Sequence, residues 1–397
     1  MNLDFLPSPV EDQPGLVIRD PFQFSDATLI VPPPLIECLE YFDGQHNDLD
    51  LRAHLVRLTG DLNAADIERN LSGALSEAGF LEDEIFERRR AEAERAFAQA
   101  PVRVAAHAGG GYPDEPHELR EVLRGYMGDS SAPANARGPL AIAAPHVSPF
   151  GGVDAYRSAY ASFTPADADR TFVILGTSHY GPPDCLGLTR KPFVTPYGQT
   201  GTATDLVDEL ESELGAAAMM EDYCHAIEHS IEFQVVFLQH VFGPRIRILP
   251  ILCGSYLRSV YAGGLPEDAE NVRRILGSLG ELAAREGQKL AWVLGIDMAH
   301  MGQRYGDRMQ AIAGRDDMTD VERRDRARIE RIAAGDAQGF WEQVRENHDD
   351  LKWCGSAPIY TFLKAVPQAR GELLHYQQWN IDEASVVSFA GMSFHSK

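Results

Sequence analysis

A chain of 397 residues is too long for one ordinary core and predicts two domains, while 44% hydrophobic and 24% charged content is that of a folded globular protein rather than a disordered or fibrous one. With 59 acidic against 36 basic residues, the formal net charge of −23 repels phosphate backbones and anionic lipid, so neither nucleic acid nor membrane is an expected partner. The cysteines at 38, 185, 224, 253 and 354 lack CxxC spacing, no basic-then-apolar leader is visible, and no run reaches the ~18 apolar residues of a membrane span, so reduced thiols and a cytoplasmic location are expected.

Residues 15 to about 85 predict a first unit. "LVIRDPFQFSDATLIVPPP" reads as two short extended pieces, and "LIECLEYFDG" as a helix stopped at Asp43-Gly44. "LDLRAHLVRLTG" and "ADIERNLSGALSEAGF" follow as helices with apolar residues three and four apart, each closed by glycine. These segments resemble a small winged-helix domain, in particular the PqqD-like peptide-recognition domains; a purely structural extension is the competing reading. From Asp83 the run "DEIFERRRAEAERAFAQA" is charged and free of Gly and Pro, which suits an exposed connecting helix and places the boundary at 1–100 and 101–397.

Beyond the boundary, short apolar runs alternate with amphipathic helices. Strands are expected at 140–144 ("LAIAA"), 171–176 ("TFVILG"), 246–253 ("IRILPILC") and 290–297 ("LAWVLGID"), and helices at "ATDLVDELESEL", "IEHSIEFQVVFLQHVF" and "DAENVRRILGSLGELAAREG". Such alternation predicts an α/β fold, a mostly parallel sheet flanked by helices, with its site past the C-terminal strand ends.

Those ends carry the reactive side chains. His146 follows "LAIAAP", His179 follows "FVILGTS", and Asp297 and His300 end "LAWVLGIDMAH". One histidine at such a place is more often structural; three at equivalent exits predict a shared pocket. In "CHAIEHSIEFQ", a continuous helix would put His225, Glu228, His229 and Glu232 on one face beside an apolar stripe of Ile227, Ile231, Val235, Leu238 and Phe242. No Lys or Arg lies between 191 and 245, so this stripe reads as a cavity lining rather than a solvated charged face. Imidazole with carboxylate suits Zn²⁺, Fe²⁺, Mn²⁺ or Cu²⁺, and two histidines with one carboxylate favour non-haem Fe²⁺. G-x-S-x-G, Walker A and H-E-x-x-H patterns are absent, and the glycines of "AGGGYP" do not follow a strand.

The motifs "AGGGYPDEPHELR", "AAPHVSPFGG", "ILGTSHYG", "TPYG", "EHSIEFQ", "LPILCG", "GIDMAHMGQRYG" and "CGSAPI" resemble, in order, those of the Memo family, called AmmeMemoRadiSam system protein B in bacteria and archaea. The resemblance covers nearly three-quarters of the chain from about Ala108 and implies a fold similar to class III extradiol dioxygenases. It also implies a metal pocket formed by His146 and His179 with His229 and His300 close by, occupied by iron, with copper or zinc as alternatives. His225, Glu228, His229 and Asp297 are then the expected catalytic groups. Animal members carry a cysteine at the position of Ala299, which implies that no thiolate reaches the metal here; Cys354 of "CGSAPI" reads equally as a ligand or a small buried residue. The expected function is a non-haem metal-dependent oxidoreductase acting on a small or peptide substrate, with a radical SAM protein of the same system as partner. A non-catalytic peptide-binding protein using the same pocket is the alternative.

Overall fold

In the computed structural model, which describes residues 3–8, 10, 12–128 and 138–397, the four apolar runs expected as strands lie side by side at the centre of a nine-stranded sheet. In chain order its strands are β1 (Ala141–Ala144), β2 (Thr171–Thr177), β3 (Leu186–Leu188), β4 (Gly201–Thr202), β5 (Arg247–Cys253), β6 (Leu290–Gly295), β7 (His300–Gly302), β8 (Ala369–Asp382) and β9 (Ser385–Ser396). Strands β4, β5, β2, β6 and β1 are adjacent in that order and parallel. Every residue of β1, β2 and β6 is buried, because helices cover both faces; a continuous apolar run is the sequence form of such a strand. Along β2, Phe172 and Ile174 face one apolar cluster with Tyr156, Tyr160 and Phe237, while Val173 and Leu175 face another with Val207, Ile275 and Phe362.

The sheet is completed by a feature absent from the sequence expectation. The long hairpin β8–β9 lays the C-terminal half of β9 antiparallel against β1, and β7 pairs antiparallel with the first residues of β9 on that same edge, the other edge being taken by β8. Strand β8 is half-buried along nearly its whole length and carries Glu372, Gln377, Gln378 and Asn380, so no clean alternation marks it; β9 is fully buried except at its end and reads as small residues rather than as a β-branched run.

Helices Thr204–Leu214 and Glu270–Glu286 form close to where they are expected. The third differs. Instead of one continuous helix, Cys224–Ile227 and His229–Phe242 are separate, broken at Glu228, whose ψ of 133° is extended and whose side chain caps the second helix. The single stripe of His225, Glu228, His229 and Glu232 therefore does not exist.

Two glycines decide where the second helix docks. Gly176 and Gly295 are register partners on β2 and β6; a Cβ on Gly295 would lie 2.2 Å from the Ser230 carbonyl oxygen, and one on Gly176 would lie 2.6 Å from both the Ser230 hydroxyl and Ile231. The hydroxyl of Ser230 donates to the Thr177 carbonyl at 2.8 Å, and Gln234 Nε2 donates to the Pro145 carbonyl at 2.8 Å. The first turn of the helix thus sits directly on the strand exits. Gly295→Ala is expected to lose about 1–3 kcal/mol in urea unfolding, because backbone rather than a flexible side chain opposes the methyl group.

The chain forms two compact units, residues 1–100 and 101–397. In the first unit, Asp4–Pro7, Leu16–Arg19 and Thr28–Val31 form an antiparallel meander, followed by helices Asp48–Thr59, Ala65–Ala78 and Glu84–Gln99. The segment expected as an α-helix at "LIECLEYFDG" is a 3₁₀ helix, Pro33–Tyr41, entered through consecutive prolines that cannot donate backbone hydrogen bonds. Among the described residues no helix is long and apolar enough to cross a membrane.

Candidate metal centre

The exits of β1 and β2 and the helix seated on the glycine pair bring three imidazoles together. One ring nitrogen from each of His146, His179 and His229 lies within 4.8 Å of the others. The His179 and His229 rings stack at 4.9 Å, and His146 meets each of them edge-on at 5.1 Å.

Hydrogen bonds set the tautomers. Nδ1 of His146 lies 2.9 Å from the Gly295 carbonyl and must donate to it, so Nε2 is the nitrogen turned to the cluster. Nδ1 of His179 lies 3.0 and 3.1 Å from the two carboxylate oxygens of Glu228, which likewise frees its Nε2. Glu228 also accepts the backbone N–H groups of His179, His229 and Ser230 at 2.9–3.1 Å. One carboxylate thus caps a helix, fixes a strand exit and orients an imidazole. Burial opposes its charge, yet the adjacent His179 holds the Glu228 carboxyl well below the usual range.

Asp297, at the exit of β6, accepts the His146 backbone N–H at 2.9 Å and has its other oxygen 3.5 Å from His146 Nε2. His300 stands apart from the three-histidine group. It begins β7, its backbone N–H donates to Leu351, and its Nδ1 faces the carbonyls of Met298 and Lys352 at 3.0 and 3.1 Å. His225 is also separate: it is buried, and burial pushes its pKa down to about 4. Glu232 is committed to structure, accepting the backbone N–H groups of Ala106 and His107 at 3.0 Å, the Tyr112 hydroxyl and the Arg103 guanidinium. The helical spacing that grouped these residues fails because the chain turns at Glu228.

A thiol lies beside the cluster, contributed by Cys354 rather than from position 299. Ala299 packs in the apolar core, whereas Cys354 Sγ lies 3.3 Å from His146 Nε2 and 3.6 Å from the Asp297 carbonyl. Cys354 follows a turn in which Asn347, His348, Asp349 and Lys352 all have φ between 51° and 55°. Such left-handed non-glycine residues cost about 1–3 kcal/mol each, so the surrounding contacts must hold the turn. Burial disfavours a thiolate, but His146 and His300 outweigh it and hold the Cys354 thiol well below its ordinary value. Burial likewise opposes charge on His146, yet Asp297 and the sulfur raise its pKa to about 9. His229 is held neutral by burial.

Three imidazole nitrogens within 4.8 Å of one another, with the Cys354 sulfur 3.3 Å from His146 Nε2 and with carboxylate and carbonyl partners behind two of the rings, form a donor set that fits a divalent transition metal. A family profile described as Memo-like protein matches residues 103–393, a span that contains the three histidines and Cys354. The chain belongs to the Memo-like family. A MEMO1 family protein of Aquifex aeolicus is 26% identical over 383 residues, covering 96% of each chain, so the likeness extends through the N-terminal unit. MEMO1 family proteins of Thermococcus kodakarensis, 30% identical over 74% of this chain and 99% of theirs, and of Thermus thermophilus, 27% identical over 78% and 86%, are similar chiefly to the larger unit. The mixed sheet with its five parallel strands is the dioxygenase-like architecture of Memo-like proteins.

Two residues beside the cluster were not anticipated. Arg103, at the start of the Memo-like region, is buried and donates from Nε to the His225 carbonyl and from a terminal nitrogen to the Glu228 carbonyl, both at 2.9 Å, so it holds the chain on both sides of the helix break. His107 donates through Nε2 to the Ile227 carbonyl at 3.0 Å and packs edge-on against His229 at 5.5 Å. The only sequence signal for His107 is its place just before the glycine cluster.

Proposed function

We propose that this Memo-like protein binds one divalent metal through His146, His179, His229 and Cys354, iron first with copper or zinc as alternatives, and acts as a non-haem oxidoreductase on a small or peptide substrate. The convergence of three imidazoles from three separate chain segments carries the reading. A bound ion of this class supplies Lewis acidity and, for iron or copper, one-electron redox chemistry.

The chain's own residues would do the rest. Glu228 orients His179 and keeps its lone pair on the cavity side. Asp297, whose carboxyl burial pushes upward despite His146, is a candidate proton acceptor beside the cluster. His300 holds Nδ1 against two carbonyls, so its Nε2 is the free nitrogen. Resemblance to AmmeMemoRadiSam system protein B supports a place in a cytoplasmic modification pathway with a radical SAM protein as partner.

The test is metal content. Tag-free protein, loaded anaerobically with Fe²⁺ and desalted, should retain about one equivalent, and His146→Ala should retain almost none. Equal retention by both, at any level, removes the basis of the proposal.

A further inference from the structure

Helix Asp317–Ala334 is rich in exposed charge, yet it buries two charged residues, Asp325 and Arg328. Among the described residues no cation forms an ion pair with the Asp325 carboxylate, and the nearby Arg328 pairs with Asp349 instead. The Asp325 carboxylate accepts the Trp353 indole N–H at 2.7 Å, the Tyr376 hydroxyl at 2.8 Å and the Ser388 hydroxyl at 2.6 Å. One of these donors leads to Cys354 beside the candidate metal centre, the other to the chain that follows Asp297. Trp353 precedes Cys354, and the Ser388 oxygen accepts the backbone N–H of Ala299, beside His300, at 2.9 Å.

Arg328, one turn along, grips the same tryptophan. Its guanidinium lies 5.1 Å over the indole and donates at 3.0 Å to Asp349, whose other carboxylate oxygen accepts the Trp353 backbone N–H at 3.1 Å. Trp353 is thus fixed at its amide, its ring face and its indole nitrogen, at the end of the left-handed turn that delivers Cys354. An isolated buried carboxylate is a poor way to stabilise a core, since apolar side chains of equal volume do as well or better. It is a good way to fix three donors from separate segments at one point.

The geometry points to Asp325 as a positioning residue that sets the Cys354 thiol through Trp353 and the Ala299–His300 backbone through Ser388. This rests on the metal reading proposed above. Asparagine tests it well: the indole N–H can only donate and would claim the amide oxygen, so the amide nitrogen must face the Tyr376 and Ser388 hydroxyls, which then have to accept, and the Ser388 oxygen is shared between that nitrogen and the Ala299 N–H.

In the full-length protein, Asp325→Asn should bind Co²⁺ about 10–100-fold more weakly than wild type, the usual effect of losing an outer partner of a ligand, with reduced thiolate-to-cobalt absorption. Without metal, amide exchange should accelerate in residues 298–300 and 353–355 while strand 171–177 stays protected. Trp353→Phe, which removes one N–H and keeps an aromatic ring, should change the cobalt spectrum in the same sense and serves if Asp325→Asn does not fold. A variant that melts lower but keeps wild-type Co²⁺ affinity, spectrum and exchange would overturn the assignment and make Asp325 a structural residue only. If wild type takes up no Co²⁺ while exchange still rises at the two segments in Asp325→Asn, the metal reading fails and the positioning role stands.

Discussion

Arg103→Met will lower stability by about 3–5 kcal/mol in urea unfolding, the usual result of removing one partner of a buried ion pair. Arg103 and Glu232 are both essentially inaccessible to water. Methionine replaces the arginine stem but leaves the Glu232 carboxylate with two amides and a phenol for company, and it strips the His225 and Glu228 carbonyls of their donors. Burial opposes the Glu232 charge, but Arg103 and His107 outweigh it and lower its pKa from the ordinary 4.5. As pH falls, the unfolded chain therefore takes up this proton first. The stabilisation is fully present above about pH 4.5 and is lost as pH falls through the folded value. In Arg103→Met the carboxylate is the liability, and acid relieves it. The gap between the two proteins should close below about pH 4.5, and a gap independent of pH between 3 and 7 would contradict this account.

Cys354→Ser will weaken metal binding by more than about 100-fold in a chelator competition. Loss of an outer partner already costs about 10–100-fold, and loss of a direct donor should exceed it. The sulfur lies 3.3 Å from His146 Nε2, its thiolate is favoured by His146 and His300, and a strained turn is maintained to place it there. Serine is nearly isosteric but stays protonated at neutral pH and is a harder donor. Unfolding of the metal-free protein should change by less than about 1 kcal/mol, since one polar contact replaces another. Unchanged affinity would mean that Cys354 is a small buried residue and that the three histidines hold the ion alone.

The part of this site that was legible in the sequence is the part set by strands. His146, His179 and Asp297 follow fully buried apolar runs, and parallel strands must deliver such residues to one edge. The helical contribution was read with the right residues and the wrong geometry. A uniform 100° per residue groups His225, Glu228, His229 and Glu232, but Glu228 serves as an N-cap, which breaks the helix, turns His225 away and leaves Glu232 to Arg103. Glutamate is not a strong capping residue by composition, so only the tertiary demand of His179 selects that role. Cys354 and His300 depend on contacts between β7, β9 and the turn at 347–352, which no local period encodes. The hairpin β8–β9 was hidden for the same reason: its burial is set by neighbours rather than by alternation.

In the proposed centre three imidazoles and one sulfur share a metal ion. X-ray absorption at the zinc edge of stoichiometrically loaded wild-type protein measures that directly. We expect one sulfur at ~2.3 Å and two or three nitrogens at ~2.0–2.1 Å, with the sulfur shell absent in Cys354→Ser. A shell of oxygen and nitrogen only in the wild type, or one unchanged in Cys354→Ser, would contradict the assignment of Cys354 and, with it, the four-donor centre described here.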